Sequence, residues 1–212
     1  IRVNDAMDAI GREDIDAISP YQDQIEAIIL PKTQSFDFLA TLAPMIDFSN
    51  KLVPLIETPR AIDTVTQIAA FKDVVGLFFG AADSSASLGC KLAWEPLLYA
   101  RQKVVLAAAM YNLFTIDAPF FYIDDKEGLK KEAEAVKNLG FTGKAAIHPD
   151  QIDFINESFA PTSEEIAEGK KVLEEYQKSG GGAVKIDGQM VDEPIAEAMR
   201  LKISLGEEEN ED

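Results

Sequence analysis

Six side chains able to do chemistry recur at one kind of place in this chain, at or just beyond the end of a short apolar run. Arg2 lies in the run Ile1–Asn4, Lys32 closes Ala27–Lys32 and Glu57 closes Leu52–Glu57. Asp83 follows Val74–Ala81, Asp117 lies in Thr115–Phe120, and His148 lies in Ala145–Pro149. Carboxylates of this kind can hold a hard divalent cation through oxygen. An arginine fork can stabilise a developing oxyanion, and an acid or a histidine can move a proton. Each residue also has a plainer reading, as a solvated strand-end acid, a buried ion pair or a hydrogen-bonding histidine before a proline. The repetition is the stronger signal, because a parallel barrel gathers the C-terminal ends of its strands on the active-site face.

The elements that must position these residues follow from pattern. The runs are rich in β-formers and apolar on both faces, the mark of buried parallel strands. Between them lie helical stretches, clearest at Arg60–Phe71, Leu97–Tyr111 and Glu127–Leu139. Alternating strand and helix gives a parallel α/β fold. An open doubly wound sheet fits the same pattern, but no G-x-G-x-x-G follows a first strand. Six strands are readable where a closed (β/α)₈ barrel has eight, and Ile1 already lies inside one. The expectation is a barrel lacking its first two βα units, a segment on the order of 60 residues.

After the sixth run the pattern changes. Ser163–Lys178 is a charged amphipathic helix opened by Thr162 or Ser163. The Gly180–Gly182 stretch reads as a flexible linker. An extended piece at Ala183–Ile186, a turn at Asp187–Gly188 and a helix opening near Pro194 come next. We expect barrel strands 3–8 over 1–160, a C-terminal helical lid extension over 161–205, and a solvated, disordered acidic tail over 206–212.

A net charge of −17 argues against nucleic acid as partner. It does not exclude a phosphate-bearing small molecule, because a few local cations can act inside a negative global field. No stretch approaches the roughly 20 apolar residues of a membrane span. The N-terminal residues lack the basic region and apolar core of a signal peptide. A single cysteine, Cys90, rules out an internal disulfide framework and fits a cytoplasmic location.

Seven segments in order, IRVN, ILPK, LIETPRAI, GLFFGAADSSASLG, WEPLLYARQKVVLAA, DDKEGLKKEAEAVKNLGFTGKAAIHPDQI and IDGQMVD, resemble the citrate lyase β-subunit-like branch of the HpcH/HpaI aldolase superfamily. The resemblance implies a TIM (β/α)₈ barrel, one magnesium ion, and cleavage or formation of a carbon–carbon bond beside the carbonyl of a coenzyme A thioester. It also implies a homotrimer or hexamer whose C-terminal lid closes a neighbour's site. It places the metal on Glu57 and Asp83, and puts Arg2 on the substrate oxygen where charge develops. Lys32 and His148 fall near the coenzyme A end, with a structural lysine paired to Glu57 as the alternative for Lys32. Asp117 supports the pocket by hydrogen bonds. Asp192 becomes the lid acid/base, or else the N-cap of the helix that follows. The family's first two strands have no counterpart here. The family usually has an acid where this chain has Ala82, and Ser84, Ser85 and Ser87 make the following segment less acidic. Ile-His-Pro, where citrate lyase complexes usually have Ile-Asn-Pro, resembles stand-alone malyl-coenzyme A or citramalyl-coenzyme A lyases. The alternative is the citryl-acyl-carrier lyase β subunit of a citrate lyase complex.

Overall fold

The computed structural model describes residues 1–46, 51–180 and 182–208. The chain divides into two compact units, Ile1–Ile155 and Asn156–Asp212.

The first unit is a parallel sheet of five strands in sequence order, threaded with helices. Helix α1 (Ala9–Ile18) precedes β1 (Ile28–Leu30), and α2 (Phe36–Leu42) follows it. Next come β2 (Leu52–Ile56), the short helices α3 (Pro59–Asp63) and α4 (Val65–Ala69), and β3 (Gly76–Phe79). Then α5 (Ala81–Leu88) and the long α6 (Trp94–Met110) lead to β4 (Phe114–Asp117), α7 (Lys126–Leu139) and β5 (Gly143–Lys144). The unit ends in α8 (Ile152–Phe159), which crosses the division.

Every side chain of β2 is buried, as expected for a strand covered on both faces. Pro54 is tolerated in this central strand because of where the register changes. It pairs with Leu30 at the last position of the β1 ladder, and on the other side the pairing is interrupted around it, bridging at Leu52–Val74 and resuming at Leu55–Phe78. The missing N–H therefore falls in a gap in the ladder.

Three expected elements shift. Ile1–Asn4 makes only one isolated parallel bridge, Arg2 with Ile29, rather than a strand. The stretch Arg60–Phe71 breaks at Thr64, whose hydroxyl donates to the carbonyl oxygens of Arg60 and Gln34. The sixth strand is not Ala145–Pro149 but Gly143–Lys144. Lys144 is buried with its ammonium bonded to Asp117, Glu132 and the carbonyl of Ala118, and this anchors the ladder two residues upstream of the apolar run. Ile147 is half exposed, and Pro149–Gln151 is a 3₁₀ turn. Helices α1, α2, α5 and α8 were unread in the sequence.

In the second unit, α9 (Ser163–Lys178) opens with a capping box. The Thr162 hydroxyl accepts from the Glu165 N–H, and the Glu165 carboxylate accepts from the Thr162 N–H. A hairpin follows, β6 (Val184–Ile186) and β7 (Gln189–Val191), the second strand not having been foreseen. Its two-residue turn has positive φ at both Asp187 and Gly188, the type that matches strand twist. Helix α10 (Glu193–Glu208) closes the unit over Val172, Tyr176, Ile186, Val191 and Ala196. The acidic tail read at 206–212 is helical backbone through Glu208, and 209–212 lie outside the described residues, as does Gly181 of the glycine run. Among the described residues, no helix is long and apolar enough to cross a membrane.

Candidate active site

Glu57 follows the last residue of β2 and is only 4% exposed. Its Oε1 accepts the main-chain N–H of Lys32, just beyond β1, at 2.7 Å. Gly80 lies on its other side: a Cβ there would sit 2.5 Å from the Cβ of Glu57 and 3.0 Å from its Oε2. The carboxyl is therefore held at one oxygen, and the bare Cα of Gly80 leaves room for it on the other side.

Asp83 is not at a strand end as the sequence suggested. It stands in the first turn of α5, where a helix N-terminus favours negative charge. It nevertheless reaches Glu57. Burial pushes the Glu57 pKa up to about 7, and hydrogen bonding and charge repulsion from Asp83 add to the rise. The Lys32 N–H and the charge of Arg2 pull the other way. Asp83 and Arg2 are thus each close enough to act on Glu57, so these expected site residues converge on it.

Of the two readings of Lys32, the structural pairing with Glu57 is not made by its ammonium. The ammonium lies 3.9 Å from Asp5, with the side chain 62% exposed. Asn4 is bound through both its N–H and its side-chain amide to Asp14 of α1.

Asp117, the last residue of β4, is fully buried between Arg101 at 2.8 Å and Lys144 at 2.9 Å. Lys144 also reaches Glu132 of α7 at 2.7 Å. The Arg101 guanidinium packs over the rings of Trp94 and Phe79. Asp117 therefore braces the sheet's C-terminal end and has its charge answered by two cations. Arg101, Lys144 and Glu132 went unread. The available signal was Arg101 on the same helical face as Leu97, Val104 and Ala108, an apolar stripe that tolerates a charge only when it is paired.

His148 caps the 3₁₀ turn, its Nδ1 accepting the Asp150 N–H at 3.2 Å. Asp192 stands before α10 in the second unit. Its Oδ1 accepts the Ile195 N–H at 3.4 Å and its carbonyl accepts that of Ala196, so the capping reading is realised.

Glu57 and Asp83 fit a hard divalent cation by their chemistry. They are oxygen donors whose mutual repulsion a dication would relieve. Among the described residues no group of three His, Cys, Asp or Glu side chains could enclose a metal. Such a cation would take its other ligands from water or a bound molecule.

A sequence profile of the HpcH/HpaI aldolase/citrate lyase family matches residues 1–149. The chain belongs to that family. Its curated relatives are lyases, and this chain is an enzyme of the same class. It is 30% identical to the citrate lyase subunit beta of Haemophilus influenzae, over 95% of this chain and 74% of that one. It is equally identical to the human mitochondrial citramalyl-CoA lyase, over 97% of this chain and 67% of the relative. Among solved structures, RipC from Yersinia pestis is 41% identical with a TM-score of 0.72, each chain covered to 78%. CitE from Mycobacterium tuberculosis, in complex with magnesium, acetoacetate and coenzyme A, is 29% identical. It has a TM-score of 0.83 over 97% of this chain and 77% of that one.

Proposed function

We propose that this chain is a magnesium-dependent carbon–carbon lyase. Its substrate is a β-hydroxyacyl-coenzyme A thioester of the malyl or citramalyl type, cleaved to acetyl-coenzyme A and a 2-keto acid or formed in reverse. The observation that carries this reading is the adjoining pair Glu57 and Asp83, with the charge of Arg2 reaching it. The complex of the related CitE with magnesium and coenzyme A supports the ligand set. Likeness to that fold also supports reading the five parallel strands as an arc of a (β/α)₈ barrel.

Held by Glu57 and Asp83, magnesium would act as a Lewis acid on the keto-acid oxygens. Arg2 donates to the oxygen on which enolate charge develops as the carbon–carbon bond breaks. Asp192 takes the hydroxyl proton as the carbon–carbon bond breaks and delivers it to the enolate carbon to give acetyl-coenzyme A; in condensation it removes that carbon's proton and returns it to the new alkoxide. In this reading Asp192 comes from a neighbouring copy in a homotrimer or hexamer. The exposed Lys32 ammonium and His148 face the coenzyme A moiety.

A second reading is the β subunit of a citrate lyase complex, acting on a citryl thioester of an acyl carrier. The identity to the Haemophilus influenzae subunit favours it, and Ile147-His148-Pro149 favours the first. Malyl and citramalyl thioesters differ by one methyl group, which a pocket distinguishes by about 1–3 kcal/mol. The test is a panel of malyl-, citramalyl- and carrier-bound citryl thioesters with purified protein and magnesium, following thioester loss and keto-acid release. Turnover of a free coenzyme A ester supports the first reading, and turnover of the carrier ester alone supports the second. No turnover of any defeats both.

A further inference from the structure

Among the described residues three that are not glycine have positive φ: Lys32 at 54°, Asn112 at 53° and Asp187 at 47°. Asn and Asp visit the left-handed region readily, because their short polar side chains bond locally. Lysine has no such reason, so a neighbouring interaction must hold it there. That interaction is visible. The left-handed turn aims the Lys32 N–H at Oε1 of Glu57, at 2.7 Å. Its ammonium, by contrast, makes among the described residues a distant pairing with Asp5, at 3.9 Å, with the lysine side chain largely exposed.

We propose that position 32 serves the site through its main chain, as a positioning residue. Its left-handed turn delivers an N–H that fixes Oε1 of Glu57, while the bare Cα of Gly80 leaves room beside the carboxyl from the other side. This deepens the reading of Glu57 as an oxygen ligand and rests on it. The arrangement has a consequence that charge alone does not. A carboxylate anchored at one oxygen by a main-chain N–H presents fixed lone pairs to a cation, without the cation having to order it. Gly80 is required for the same reason, since any side chain there would meet Glu57. Groups that orient a metal ligand typically change metal affinity about 10–100-fold when lost.

The experiment separates backbone from side chain at one position. Lys32→Gly and Lys32→Asn remove the ammonium but accept the left-handed turn. Lys32→Arg keeps a cation. Lys32→Val has a β-branched side chain that opposes the turn. Magnesium affinity is measured by calorimetry on each folded variant without thioester, and Glu57 is located in crystal structures of the same variants. The expected result is wild-type affinity in the Gly, Asn and Arg variants and a loss of about tenfold or more in Val, with Glu57 displaced only in Val. Gly80→Ala should weaken magnesium to a similar degree from the opposite side. If Gly and Asn lose affinity while Arg keeps it, the ammonium is the working group and the proposal is overturned. It is equally overturned if Glu57 keeps its place and its affinity in every variant at position 32. Should Lys32→Val not fold, the contrast between Gly and Asn on one side and Arg on the other decides. A wild type that binds no magnesium would sink the lyase reading, and the crystallographic position of Glu57 would then decide this inference alone.

Discussion

Glu57 carries the clearest electrostatic consequence in the molecule. Its pKa is raised from the usual 4.5 to about 7, chiefly by burial, with Asp83 adding to the rise. Between those values the folded chain keeps a proton that the unfolded chain has released, so folding binds protons there. The contribution of Glu57 to stability is therefore complete below the lower value and is lost as pH rises through about 7. Urea melts of the metal-free protein from about pH 5 to about pH 8 should show this decline. Glu57→Gln should flatten it, and an unchanged slope in that variant would show that the proton sits elsewhere. Magnesium must displace the same proton, so its affinity should climb as pH rises through about 7 and then level off. Calorimetry across that range checks this, and a pH-independent affinity would contradict it.

At the scale of elements, two devices hold the scaffold. In the first unit the Arg101–Asp117–Lys144–Glu132 chain ties α6, β4, β5 and α7 together by side chains, where β5 has only two residues to offer a ladder. Lys144→Met should destabilise the fold by about 3 kcal/mol or more, because it leaves Glu132 without its lysine and removes one of two cations from a fully buried Asp117. Denaturant unfolding measures it, and a loss well under 1 kcal/mol would mean that Arg101 alone satisfies Asp117. In the second unit the cap on α9 is reciprocal, so Thr162→Ala loses both the hydroxyl acceptor and the geometry that Glu165 answers. The expected cost is about 1 kcal/mol. Thr162→Asn should largely restore it, which a general effect of altering the loop would not predict.

At the scale of the whole molecule, the functional proposal joins two units through a second copy of the chain. Asp192 is firmly placed within its own unit. It caps α10, and the adjoining Glu193 is gripped by Tyr176 at 3.0 Å and Arg200 at 2.7 Å. If this unit serves as a lid, as the proposed function has it, a preorganised acid on it would complete a site on closing. Asp192→Asn should therefore lose most activity while keeping magnesium affinity. Mixing it with Arg2→Ala should restore activity, because exchanged oligomers contain sites with both residues intact. Failure to recover any activity after verified subunit exchange would mean that Asp192 serves its own chain or none. The net charge of −17 does not oppose an anionic thioester at such a site, provided that local cations such as Arg2 and Lys32 face it.

The sequence by itself determined the parallel α/β class, the family and most of the strands, because buried parallel strands are apolar on both faces and leave an unbroken signal. It also singled out Arg2, Glu57 and Asp83 in ordered motifs, and in the structure Arg2 and Asp83 both act on Glu57. It misplaced β5, because the apolar run Ala145–Ile147 outweighed a lysine whose burial depends on partners 12 and 27 residues away. It put Asp83 at a strand end because hydrophobicity does not mark where a strand stops and a helix begins. It offered a side-chain pairing of Lys32 with Glu57 as one alternative, and the structure makes that link through the main-chain N–H instead. Composition shows a cation near a carboxylate, but whether the ammonium or the main-chain N–H makes the bond depends on a single φ angle. The Arg101 network was hidden for the same reason: a charge in an apolar stripe can be read from the sequence, but its partner cannot. Only the tertiary structure brings Asp117 and Arg101 together from consecutive elements and leaves Gly80 bare against Glu57, because those distances are set by how the layers pack and not by any property of the residues taken in order.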